Sequence, residues 1–231
     1  MTATADVLVI TPHPDDAEFE AGGTIAEMTN AGRQIVYVVC TNGDKGTSDR
    51  NLKPEDLAAL REKEQQAAAR ILGVKETIFL RYPDQELEDT REFRKEIVRL
   101  IRLYKPELMM TADPYRRYIY HRDHRITGQV CLDAAYPYAR DHLAFSDLLA
   151  EDLQPHKVKE ILFWGAETNN HLSNITDSFY KKIEALQCHE SQLGMYPAEH
   201  LEEWLKERAR QLAAKENYEL AEAFYRVIIG H

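Results

Sequence analysis

Val7-Leu8-Val9-Ile10-Thr11 runs directly into Pro12-His13-Pro14-Asp15-Asp16-Ala17-Glu18, and the chain then continues through Phe19 to Asn30 with helical character. A short, unbroken apolar run of this length suits a strand buried on both faces. The polar cluster therefore falls at the carboxyl end of a buried strand and at the start of a helix. Further strands of the same kind are predicted at Ile35 to Cys40, Thr77 to Leu80, Leu108 to Thr111 and Glu160 to Trp164. Helices are predicted between them at Phe19 to Asn30, Pro54 to Leu72, Thr90 to Leu103 and Asp123 to Tyr136, the second stopping at Leu72-Gly73, where glycine can take the left-handed turn.

Strands alternating with helices imply right-handed crossovers and a mostly parallel sheet with helices on both faces, a Rossmann-like α/β fold. Past Trp164 the pattern predicts a helical C-terminal segment, with helices at Asp177 to Gln192, Ala198 to Lys215 and Tyr218 to Ile229. No repeat or linker interrupts the chain, so residues 1–231 read as a single domain. In such folds ligands bind at the carboxyl ends of the strands, where the strand order reverses.

Composition narrows the partners. Of 231 residues, 44% are hydrophobic and 29% charged, enough for one sizeable core. The formal net charge is -10 and no polybasic block occurs, which argues against nucleic acid. The opening residues MTATADVLVI carry neither the charged start nor the long apolar run of a signal peptide or membrane span, so a soluble cytoplasmic protein is expected. Cys40, Cys131 and Cys188 lack paired spacing and read as free thiols.

Two clusters carry chemistry. In the first, His13 sits between prolines that fix its backbone, as a ligand requires, while Asp15 or Asp16 has an alternative use as the cap of the following helix. The second is Tyr118-Ile119-Tyr120-His121-Arg122-Asp123-His124, after the strand Leu108 to Thr111. Its histidines are three residues apart, a spacing that can aim both at one site or decorate a helix surface. The first and fourth strands of a doubly wound sheet commonly flank the switch point, which brings the clusters to one crevice. Two imidazoles and a carboxylate then form a three-ligand set with an open position, the arrangement of a catalytic Zn²⁺; the same set suits Fe²⁺.

Pro12 to Glu18 and His121 to His124 resemble the two signature motifs of the LmbE-like, or PIG-L, family of metal-dependent N-acetylglucosaminyl deacetylases. The similarity extends to Thr41 through Gly46, Arg61 through Gly73, Tyr82-Pro83-Asp84 and His189-Glu190-Ser191-Gln192. It implies a metal held by His13, Asp16 and His124, with Asp15 as general base, His121 assisting in the transition state and Arg61 binding substrate. It also implies an N-acetylated amino sugar or conjugate as substrate and a homo-oligomer, a trimer or hexamer.

These roles are chemically coherent. A bound metal acidifies its water and polarises an amide carbonyl; a neighbouring carboxylate takes the proton, and a cationic or donor histidine stabilises the oxyanion. Other uses exist for some of the residues. Arg61 has Glu64 three positions on as an ion-pair partner, and His189 has a use as a charge at an exposed helix end. Tyr118 or Tyr120 can donate to the tetrahedral oxygen, and Trp164, Tyr196 and Trp204 are unassigned aromatic faces. The rival reading is a non-catalytic, metal-dependent sugar-binding or assembly module, which has no need of Asp15. A dinucleotide site is excluded because no G-x-G-x-x-G follows the first strand.

Overall fold

The computed structural model describes residues 4–194 and 197–230. Its centre is a seven-stranded sheet of order β3-β2-β1-β4-β5-β7-β6. The strands are β1 Val7–Thr11, β2 Ile35–Thr41, β3 Glu76–Tyr82, β4 Leu108–Ala112, β5 Glu160–Trp164, β6 His171–Asn174 and β7 Ala221–Ile228. The first five are parallel, while β7 runs antiparallel to both β5 and β6. Every residue of β1, β2 and β4 is buried, which is why these strands read as continuous apolar runs.

Alternation along the strands divides the core between the two faces. Leu8, Ile10, Val36 and Val38 pack with Phe93, Ile97 and Ile101 of α3 (Arg91–Tyr104) and with Val130, Cys131 and Ala134 of α4 (Arg122–Ala135). Val7, Val9, Ile35 and Tyr37 pack on the other face with Ala17, Ala21 and Ile25 of α1 (Asp16–Asn30) and with Ala68, Ala69 and Leu72 of α2 (Pro54–Leu72). Helix ends follow local rules: Thr90 caps α3 by accepting from the Phe93 amide at 3.1 Å, and Gly73 ends α2 at φ 76°. Among the described residues, no helix is long and apolar enough to cross a membrane.

The C-terminal segment holds α5 (Phe179–Gln187), the single turn α6 (Glu190–Leu193) and α7 (Ala198–Ala213), with Ile175, Phe179, Ile183, Leu205 and Ala209 in a small core of their own. Its last part corrects the expectation of a helix over Tyr218 to Ile229: Ala221–Ile228 is strand β7. Pairing with β5, from Glu160 opposite Ile228 to Phe163 opposite Tyr225, overrides the helical leaning of Leu220-Ala221-Glu222-Ala223. The strand is fastened by Glu222. Its buried carboxylate accepts from the Gly23 and Thr24 amides at 3.0 and 2.7 Å, the Thr24 hydroxyl at 2.6 Å and Lys182 Nζ at 2.6 Å.

Candidate active site

Strands β1 and β4 are neighbours at the point where strand order reverses, and their carboxyl ends bring the two sequence clusters together. His13, leaving β1, is nearly buried, and its carbonyl accepts from the Thr11 hydroxyl at 3.1 Å. Asp16 opens α1 and bends back: its Oδ2 accepts from the His13 amide at 3.0 Å and lies 3.0 Å from His13 Nδ1. The same oxygen lies 3.1 Å from Nε2 of His124, on the first turn of α4. Asp16 Oδ2 thus lies within reach of both His13 Nδ1 and His124 Nε2.

The opposite side of the His13 ring faces acid. Its Nε2 lies 3.2 Å from Asp123 Oδ2 and 3.1 Å from Asp84 Oδ1. Asp123 is buried and held by the Gln85 and Leu87 amides at 2.7 and 3.3 Å, so it is a fixed acceptor for an Nε2 proton. A proton at Nε2 leaves the Nδ1 lone pair free to bind a cation. Close groupings of possible ligands occur among His13, His121 and His124 and among His13, Asp84, His121 and Asp123. Because Asp123 engages Nε2, the carboxylates on that side orient the imidazole, and the Nδ1 side is where a cation fits. Two imidazoles and a carboxylate of this disposition fit a divalent ion with an open coordination position.

Electrostatics favour positive charge here. Burial opposes charge on His13, but Asp16, Asp123 and Asp84 outweigh it and lift the imidazole well above its ordinary value. Burial alone would raise the Asp16 carboxyl; the His124 and His13 imidazoles overcome it and hold Asp16 well below the usual carboxylate range.

Asp15 is distinct. Its backbone sits at φ 93°, its side chain makes no helix-cap hydrogen bond, and its Oδ2 accepts from Arg61 Nη2 at 3.1 Å. The capping alternative for Asp15 is thus not what the structure shows. Burial and the adjacent Asp16 charge push its carboxyl up to about 6, against the pull of Arg61.

Arg61 is 4% exposed and donates also to the Pro14 carbonyl at 2.7 Å and the Gly43 carbonyl at 3.1 Å. A Cβ at Gly43 would come within 2.6 Å of Arg61 Nη1, so a residue without a side chain is needed there. Arg61 does not pair with Glu64. Glu64 instead accepts from the amide and hydroxyl of Ser191 at 2.8 and 2.7 Å.

His121 caps α4, its Nδ1 accepting from the Asp123 amide at 3.2 Å, and its ring meets His13 edge-on at 4.5 Å. Acceptance at Nδ1 leaves the proton on Nε2. Burial and then the His13 charge lower the His121 pKa, which disfavours its charged form.

His189, considered as an exposed helix end, is fully buried, with Nε2 3.6 Å from Glu18 Oε2. Tyr120 packs edge-on against His124 at 5.1 Å with its hydroxyl buried, whereas Tyr118 is 90% exposed. Trp164 is core, Trp204 is half-exposed against Phe19, and Tyr196 lies outside the described residues. Sequence reasoning misses the roles of Asp84, Asp123, Glu18 and Gln65. The first two lie inside the Tyr82-Pro83-Asp84 and His121 to His124 motifs, which is the available signal.

A cleft beside these residues is lined by Phe19, Arg116, Ile119, Tyr120 and Trp164 as well as by Asp16, His121 and His124.

The chain is similar to known proteins over most of its length. The chain is 38% identical over 198 residues to a diacetylchitobiose deacetylase of Thermococcus kodakarensis, covering 86% of this chain and 73% of that protein. It is 30% identical to a probable N-acetyl-alpha-D-glucosaminyl L-malate deacetylase 2 of Bacillus anthracis, covering 81% of each. The solved N,N'-diacetylchitobiose deacetylase of Pyrococcus horikoshii, complexed with its inhibitor MPG, superposes with a TM-score of 0.90 at 33% identity, over 97% of this chain and 84% of that one. The model of the PIG-L family, described as GlcNAc-PI de-N-acetylase, matches residues 8–135, the span that contains both clusters and Arg61, and the chain therefore belongs to the PIG-L family.

Proposed function

We propose that this chain is a metal-dependent N-deacetylase that hydrolyses the acetamido group of an N-acetylglucosamine-type sugar or sugar conjugate, releasing acetate and a free amine. The observation that carries the reading is a carboxylate beside the ligand set that does not belong to it. Asp15, with its carboxyl raised to about 6, lies next to Asp16 in sequence yet turns to Arg61. A binding module would have no use for such a group. The names of the relatives supply the substrate class.

In this reading His13, Asp16 and His124 hold one divalent ion, Zn²⁺ or Fe²⁺. Such an ion, when bound, would supply Lewis acidity toward a water and the amide carbonyl. Asp15 accepts the proton of the attacking water and later delivers it to the leaving nitrogen, for which a carboxyl near 6 is well matched. His121 Nε2–H donates to the developing oxyanion. Arg61, expected from sequence to grip substrate, contributes first by holding Asp15, Pro14 and the Gly43 turn, since little of its guanidinium is free for a sugar. A single domain over residues 1–231 and a cytoplasmic location, both expected from the sequence, belong to the same reading, and a trimeric or hexameric assembly rests on family resemblance.

The test is Asp15→Asn in a screen of acetylated amino sugars, including N,N'-diacetylchitobiose, that reads released amine. A drop in kcat of about 10² to 10⁴ with metal retained is expected for loss of a general base. Near-wild-type turnover of a fully metallated Asp15→Asn variant would sink the mechanism. A wild-type protein that binds the sugars without releasing amine would instead establish the binding module.

A further inference from the structure

Asp15 is gripped on two sides by α2. Arg61 takes its carboxylate, and one turn later Gln65 takes its backbone: Gln65 Oε1 accepts from the Asp15 amide at 3.0 Å. The other end of the Gln65 carboxamide donates from Nε2 to Glu18 Oε1 at 2.7 Å. Both Gln65 and Glu18 are fully buried. This pairing fixes which way the amide points. The Asp15 N–H can only donate, so the Gln65 oxygen must face it and the Gln65 NH₂ is left to donate to Glu18. The other Glu18 oxygen faces the buried His189 ring, so the inner end of the chain of contacts is closed to solvent.

The grip acts on a backbone that an L-residue rarely adopts. At φ 93° Asp15 stands in the left-handed region, which persists where surrounding structure holds it. This turn separates the directions of the adjacent carboxylates, sending Asp16 to His13 and His124 and Asp15 to Arg61. A base displaced by about 1 Å can lose on the order of 10² in rate.

We propose that Gln65, oriented by Glu18, is a positioning residue that holds the Asp15 amide and with it the left-handed turn that aims the Asp15 carboxylate. The inference rests on the reading of Asp15 as the base. It makes Gln65 neither a metal ligand nor a substrate contact.

The test uses Gln65→Met, Gln65→Glu and the double variant Glu18→Gln/Gln65→Glu in the metal-loaded full chain, with Asp15→Asn in parallel. Methionine keeps the volume and removes both hydrogen bonds. Glutamate alone sets two carboxylates against each other. The double variant restores the pair with its polarity reversed: a carboxamide at position 18 can donate to a carboxylate at position 65, which still accepts from the Asp15 amide.

With N,N'-diacetylchitobiose as probe, Gln65→Met should lower kcat by about 10- to 100-fold with KM within about twofold and metal content unchanged. The double variant should recover at least about tenfold over Gln65→Glu. Independently of turnover, the Asp15 amide should exchange at least about tenfold faster in Gln65→Met than in wild type. An unchanged Asp15 exchange rate and kcat in Gln65→Met, or a folded double variant no better than Gln65→Glu, overturns the inference. If Asp15→Asn is itself fully active, the base assignment falls and this inference falls with it; if Asp15→Asn is inactive while Gln65→Met is not, only the positioning role is lost.

Discussion

The Asp123 carboxylate lies 3.2 Å from Nε2 of His13, a residue 110 positions earlier in the chain. Asp123 stands between the two histidines of its own motif, yet it reaches neither the Nδ1 of His13 nor His124. What it does is help orient the His13 imidazole, from the side opposite Asp16. The Gln85 and Leu87 amides in turn fix Asp123, so the segment after β3 also supports the proposed metal site.

Asp123→Asn should therefore weaken metal binding by about 10- to 100-fold without removing a ligand. His13→Ala with His124→Ala, which removes two of the three ligands, should abolish stoichiometric metal while the sheet, with its own core, stays folded. Chelator competition and elemental analysis measure both. Wild-type affinity in Asp123→Asn, or full occupancy in the double variant, would show that the ligand set is misassigned.

How much of this could be read from the sequence follows from the range of the interactions involved. Strands β1, β2, β4 and β5 announce themselves because almost all their residues are buried, the edge strand β3 is partly exposed and reads only from its short apolar run, and the placement of His13 and His124 follows from the switch point between β1 and β4. Strand β7 was not legible. Its residues carry a local helical preference, and what decides its conformation is pairing with β5, some sixty positions away. The Asp15 turn was illegible for a similar reason: nothing local prescribes φ 93°, which depends on Gln65 and Arg61 arriving from α2. Arg61 could be named but not placed, since its acceptors at Pro14 and Gly43 exist only once β1 and β2 are side by side.

Glu222 offers a stability test away from the chemistry. It and Lys182 are both buried, but they are not equally dependent on one another. Without Lys182 the carboxylate keeps the Gly23 and Thr24 amides and the Thr24 hydroxyl as donors. Removing Glu222 takes away the carboxylate that faces the buried Lys182 ammonium. Glu222→Ala should cost about 3–5 kcal/mol, the usual penalty for breaking a buried pair, and Lys182→Met clearly less. Denaturant unfolding compares them, and a Lys182→Met loss equal to or larger than that of Glu222→Ala would contradict the asymmetry.

The pH dependence of turnover tests the link between Arg61 and Asp15. Burial and the Asp16 charge raise the Asp15 carboxyl to about 6, and Arg61 is first among the groups that pull it down. A base must be ionised, so kcat should fall as pH drops through this value, and a bound dication can only move that limb lower. Arg61→Ala removes the cation, so the Asp15 carboxyl rises further and the acid limb should move to higher pH. Arg61→Lys keeps a charge but not the fork that spans Pro14, Gly43 and Asp15. Its acid limb should stay near that of wild type while kcat remains depressed. Profiles of kcat at saturating metal read both effects, with metal content measured at each pH so that loss of the ion is not taken for protonation of the base. Should Arg61→Ala raise KM alone and leave the acid limb in place, Arg61 would be a substrate contact that does not tune Asp15.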